Sequence, residues 1–130
     1  MHPVFPRLLE WNDVALVLMR LLVGWVFFYS GLSHFRDPVG RGASIGTSPG
    51  FARLLGLLEM AGGLAVAVGI LIQIAALGLV LIMLGAIQKK LFVWHTGFWG
   101  DKSSGWHYEL LFVTMNLVIA STGGGRFVLL

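Results

Sequence analysis

The chain has 130 residues, 57% hydrophobic and only 12% charged, with nine Lys or Arg against six Asp or Glu and a net charge of +3. Soluble domains carry about 25% charged residues, and a soluble chain this short leaves too much of its surface wet to hide so much apolar material. The surplus must face lipid or partners. With no cysteine, the chain cannot form disulfides, do thiolate chemistry or hold an iron–sulfur cluster through thiolates.

Met1–Trp11 reads as a short interfacial tail containing Pro3 and Pro6. No small-residue cleavage site follows, so the next apolar run is expected to be a permanent helix rather than a signal peptide. Asn12 or Asp13 is the expected N-cap. The first helix is predicted over 13–34, about 32 Å long and enough to span hydrocarbon of about 30 Å. Within it, Arg20, Gly24, Phe27, Gly31 and His34 share one face. The glycines allow a neighbouring backbone to come close. Trp25 and Tyr29 are open between an interfacial belt and the core.

The segment 36–50 is rich in Gly, Pro and Ser and is expected to be a loop. A second helix is predicted over 51–72, interrupted by Glu59, with Ala61, Ala65 and Gly69 as its close-packing face. A tight turn leads to a third helix over 73–93, making these two antiparallel neighbours. The loop 94–106 holds three tryptophans, whose indoles favour the headgroup level. A fourth, shorter helix is predicted over 107–122, with Glu109, Asn116 and Gly123 on one face. The expected fold is a single all-α domain over 1–130. It is an integral membrane four-helix bundle, antiparallel, with a short second loop and longer first and third loops.

The basic residues sit in short gaps between apolar runs, which points to membrane lipids with anionic headgroups rather than nucleic acid. Arg36, Arg41, Arg53, Lys89, Lys90 and Lys102 flank the first and third loops; Arg7 and Arg126 lie on the other side. The positive-inside rule then puts both long loops in the cytoplasm and both termini outside.

A charge inside a membrane helix costs about 2.5–3.5 kcal/mol on insertion scales, which singles out Arg20 and Glu59. They are expected either to pair across the bundle or, at a height difference of about 10 Å, to be linked through water. Threading brings His34, Glu59, His95, His107 and Glu109 to the end closed by the Trp-rich loop. Glu59, His34, Glu109, Arg20, Asn116, His95 and His107 are therefore the ligand-binding candidates for a polar pocket at that end. Against this stands the reading that they pack helices or touch interfacial water. A quinone suits such a pocket, since it needs polar groups for two oxygens and an apolar channel for its tail, and histidine and carboxylate pass protons. A metal or haem site is disfavoured: there is no HExxH and no i, i+4 histidine pair. No nucleophile–base arrangement marks the chain as an enzyme on its own.

These residues resemble the DoxX family of small bacterial and archaeal membrane proteins. The first helix reads RLLVGWVFFYSGLSH over Arg20–His34, like the family's Arg…Gly…Phe…Gly pattern, although the family usually closes with Lys where His34 stands. The second reads EMAGGLAVAVGI from Glu59 to Ile70, and the fourth carries Glu109 and a glycine-rich ending at Gly123–Arg126. The resemblance implies a four-helix bundle in the plasma membrane. It also implies a subunit linked to a quinol oxidase, to thiosulfate:quinone oxidoreduction, or to an oxidoreductase complex handling thiol or oxidative stress. Thiol chemistry of cysteine-bearing relatives does not transfer. Three readings stay open: a quinone-associated subunit of a redox complex, a non-catalytic anchor or assembly subunit, and a small oligomeric transporter. Other protein subunits or a homo-oligomer are the expected partners.

Overall fold

In a computed structural model, residues 4–40, 48–93, 95, 97–100 and 105–128 are described. Pro6 opens a 3-10 turn, Pro6–Trp11, which runs directly into helix α1, Asn12–Arg36. The helix therefore starts without a side-chain cap. Asn12 and Asp13 are already inside it, and Asp13 is used differently, as described below. Helix α2, Pro49–Val68, has the sequence-typical start: Ser48 Oγ accepts from the Phe51 N–H at 3.2 Å, and Pro49 fills a first-turn position where no donor is needed.

Helix α2 ends at Val68, earlier than the predicted Ile72, because Gly69 turns left-handed at φ 83° and its N–H bonds Ala65 O. Leu71 also has a positive φ, 46°. Two left-handed residues within three positions make the tight turn into helix α3, Ile72–Gln88. A π-helical turn, Lys89–Val93, extends α3. Helix α4 is His107–Thr122, closed by left-handed Gly123.

Among the described residues the fold is all-α, without a sheet. Three helical stretches are long and apolar enough to cross a membrane: Pro6–Arg36, Pro49–Val68 and Ile72–Phe92, with mean hydropathy of 1.7 to 1.8. The protein is thus a multi-pass helical membrane bundle. Helix α4 has 16 residues, about 24 Å at 1.5 Å per residue.

The closest packing joins α1 to α2. A Cβ on Gly24 would lie 2.6 Å from Gly63 O, and one on Gly63 would lie 2.9 Å from Gly24 O. Gly31 and Gly56 meet in the same reciprocal way. The buried face of α2 is therefore Ala52, Gly56, Glu59, Gly63 and Val66, not the predicted Ala61–Ala65–Gly69 face. Ala61 is exposed. The α1 face is the predicted stripe, with Arg20, Gly24, Phe27, Gly31 and His34 all buried. Phe27 reaches across to Phe112 of α4, edge-on at 5.5 Å between centroids. Leu79 and Met83 of α3 and Ile119 of α4 complete this core. Outward-facing leucines such as Leu18 and Leu81 stay exposed, as expected where the solvent is hydrocarbon.

Candidate functional site

Apart from Asn116, midway along α4, the buried polar groups divide between the two ends of the bundle. At one end, α1 finishes beside the first half of α2. Glu59 Oε2 accepts from Ser30 Oγ at 3.3 Å and lies 3.3 Å from His34 Nδ1. The same Nδ1 lies 2.9 Å from the Ser30 carbonyl oxygen. Both neighbours are acceptors, so Nδ1 carries the ring proton. Glu59 and His34 are 3% and 4% exposed. This pair is thus removed from lipid and water alike.

A second pair, with Glu109 buried and Lys90 half-buried, sits at the start of α4. Lys90 Nζ lies 2.8 Å from Glu109 Oε1 and 3.0 Å from Oε2, and donates to Gly105 O at 3.3 Å. The π-helical turn carries Lys90, a feature common where a helix re-aims a functional side chain. Tyr108 packs on Phe112 at 5.0 Å between ring centroids, with Lys90 Nζ 6.0 Å from its ring centre.

Beside these pairs a groove of about 330 Å³ opens between α1 and α4, lined by Trp25, Val26, Tyr29, Ser30, Ser33 and Tyr108. A second groove of about 420 Å³ runs along α1 and α2, lined mainly by Leu21, Phe28, Leu32, Leu64 and Ala67, and shares Trp25 and Tyr29 with the first. The two residues left open between belt and core therefore face outward as groove walls.

Of the sequence candidates, the structure brings Glu59 and His34 into contact and places Glu109 in the neighbouring pair. His107 is elsewhere: its Nδ1 lies 2.7 Å from Phe98 O, and its ring packs on Trp99 at 4.9 Å. His95 is exposed, with a left-handed backbone at φ 51°. Asn116 is fully buried in the middle of α4. Its Nδ2 donates to Phe112 O at 2.8 Å, and its Oδ1 has no hydrogen-bond partner among the described residues.

Arg20 belongs to the opposite end. Its Nε donates to Val66 O at 3.0 Å, Nη2 to Ala67 O at 3.2 Å, and Nη1 to Gly124 O at 3.2 Å and Phe127 O at 2.8 Å. Helix C-termini leave carbonyls without internal donors, and the planar guanidinium fork supplies donors to the end of α2 and to the segment after α4 at once. The expected pairing with Glu59 is replaced by this capping, because Arg20 meets α2 two turns beyond Glu59. Asp13 ties the same end shut, accepting from the Arg126 N–H at 3.0 Å and meeting its guanidinium at 3.3 Å.

Sequence reasoning did not nominate Lys90, Ser30 or Tyr108. In the sequence Lys90 reads only as a headgroup charge. Its signal was its spacing, seven and fourteen residues after the buried Met83 and Ala76. Ser30 lies between Phe27 and His34 at steps of three and four, at the edge of the inner stripe. Arg41, Trp94 and Lys102 lie outside the described residues.

The sequence profile of the DoxX family matches residues 15–96. The chain is also similar to the uncharacterized membrane protein Rv3486 of Mycobacterium tuberculosis, at 36% identity over 113 aligned positions, which covers 75% of this chain and 69% of the relative. No solved structure matches.

Proposed function

The chain belongs to the DoxX family, and from that premise we propose that it is a small accessory subunit of a quinone-linked redox complex in a bacterial or archaeal plasma membrane. One observation carries the reading: the buried pair His34–Glu59 and the partly buried pair Lys90–Glu109 lie at one end of the bundle, next to a hydroxyl-lined groove that opens to lipid. Charges held in a membrane interior are expensive and mark proton or substrate sites. Neither pair is needed to close the helix ends, a task Arg20 performs elsewhere. The groove gives a quinone head access from the bilayer, and the carboxylates give its protons a destination.

In this reading all four helices cross, antiparallel, with the long loops cytoplasmic and both termini outside. Lys90 then contributes to the interior rather than to the count of cytoplasmic charges. Electron carriers lie in partner subunits, and the chain is not an enzyme alone. The anchor reading is favoured by a different observation, the glycine contact between α1 and α2, which builds a rigid scaffold with no ligand. A transporter using Arg20 and Glu59 together is disfavoured by their separation.

The test is purification in mild detergent, with mass spectrometry of bound lipids and proteins, followed by electron-transfer assays of the host complex. The proposal expects co-purifying quinone and partner subunits, and at least a tenfold loss of turnover for Glu59→Gln with assembly intact. Normal turnover in Glu59→Gln, with no quinone retained, would instead leave the anchor role.

A further inference from the structure

The direction of one hydrogen bond gives the groove a chemical preference. A serine hydroxyl has one proton to donate and two lone pairs to accept with. Ser30 gives its proton to the Glu59 carboxylate behind it. What Ser30 offers the groove is therefore lone pairs only. Glu59 cannot reverse this arrangement as a carboxylate, because it only accepts. A carbonyl oxygen brought against Ser30 would meet a second acceptor. A hydroxyl would donate to it.

The rest of the space agrees with a lipid-borne ligand. Among the described residues the polar groove is walled by aromatic rings, hydroxyls and Val26, with no charged side chain on its wall. It continues past Trp25 and Tyr29 into a channel with almost no polar surface. A head that hydrogen-bonds and a single apolar tail fit the two parts in that order. An anionic headgroup does not, since the charges behind Ser30 are negative or already paired.

Resting on the quinone reading above, we propose that the α1–α4 groove selects the reduced, hydroxyl-bearing form of a quinone over the oxidised, carbonyl form, with Ser30 as the residue that accepts the head's hydroxyl. Glu59 is a positioning residue here: it fixes the Ser30 proton on the inner side. The apolar groove along Leu21 and Leu64 takes the tail.

The experiment compares a ten-carbon-tailed benzoquinone with its quinol, under anaerobic conditions, on the detergent-purified full chain, by calorimetry. The quinol is expected to bind about tenfold more tightly, the size of one net hydrogen bond. Ser30→Ala should abolish that preference, and Ser30→Thr, which keeps the hydroxyl, should restore it. Glu59→Gln supplies an amide donor, lets the Ser30 proton turn into the groove, and should move the preference toward the quinone. Circular dichroism and melting of each variant separate a lost fold from a lost preference. Equal or tighter binding of the oxidised form by the unaltered chain, or a preference that survives in Ser30→Ala, overturns the selectivity while leaving the quinone reading standing. Binding of neither form overturns both.

Discussion

Arg20 is 2% exposed and, among the described residues, its guanidinium bonds backbone oxygens alone, at the end of α2 and in the segment after α4. Val66 O and Ala67 O lie in the last turn of α2 and carry the negative end of its helix dipole; with Gly124 O and Phe127 O they supply much of what a carboxylate would. Arg20→Met fills a similar volume but leaves those acceptors without a donor in hydrocarbon, where each orphan costs about 1–3 kcal/mol. The variant is expected to unfold with about 3–5 kcal/mol less stability, and Arg20→Lys to recover only part, because a point charge cannot reach both helix ends. Denaturant titration in micelles measures this. A loss below about 1 kcal/mol for Arg20→Met would mean that the carbonyls find other donors and that the capping role is wrong. The sequence showed that Arg20 faces inward, through its spacing to Gly24, Phe27 and His34. It could not show the partner, because backbone carbonyls leave no mark in a residue pattern and the eye goes to the nearest opposite charge. Glu59 was legible for the same reason in reverse: a carboxylate in an apolar run must be buried, and it is. Its partner His34 was on the same inner face and was found. Lys90 was missed because a lysine at a helix end usually snorkels to headgroups, and only the π-helical turn and the register with Met83 bring it inward.

At the scale of elements, the α1–α2 pair is set by glycines in reciprocal contact, and α3 offers an internal comparison. Gly78 and Gly85 have open space where a Cβ would go, whereas Gly63 would press one against Gly24 O and the Phe27 side chain. Gly63→Ala must push two backbones apart and is expected to cost about 1–3 kcal/mol. Gly78→Ala and Gly85→Ala meet nothing and should be neutral or stabilise by up to about 1 kcal/mol through helix propensity. The same titrations compare the three; if Gly63→Ala behaves like Gly78→Ala, the helices are not in backbone contact. Two small-residue faces competed in the sequence of α2. The Ala61–Ala65–Gly69 series satisfied the rule for close packing, but the face with Glu59 on it won, since burying the charge and burying the glycines Gly56 and Gly63 are one act of rotation. The early end of α2 was also hidden: Gly69 reads as one more small packing residue until its left-handed φ is seen.

At the scale of the whole molecule, the contacts at the Arg20 end bear on how many times the chain crosses. The segment after α4 reaches Arg20 through Gly124 and Phe127, Arg126 bonds Asp13 at the start of α1, and Gln73 Nε2 at the start of α3 donates to Ala120 O near the end of α4 at 2.9 Å. The other end gathers Lys90 with Glu109. A helix of about 24 Å falls short of a hydrocarbon layer of about 30 Å by about one helical turn, a gap that local thinning and the flanking aromatic residues can absorb at modest cost. Because the chain has no cysteine, single cysteines report sidedness without background. Gly50→Cys and Gly97→Cys, where a new Cβ meets nothing, should react with an impermeant maleimide only from the cytoplasmic face of oriented vesicles. Arg7→Cys and Arg126→Cys should react only from the other face. Opposite labelling of Arg7→Cys and Arg126→Cys would show that α4 does not cross. Reversal of all four together would keep four crossings and overturn the orientation drawn from Arg36, Arg53 and Lys89, leaving interior Lys90 as evidence that a basic residue near a helix end need not belong to the cytoplasmic count.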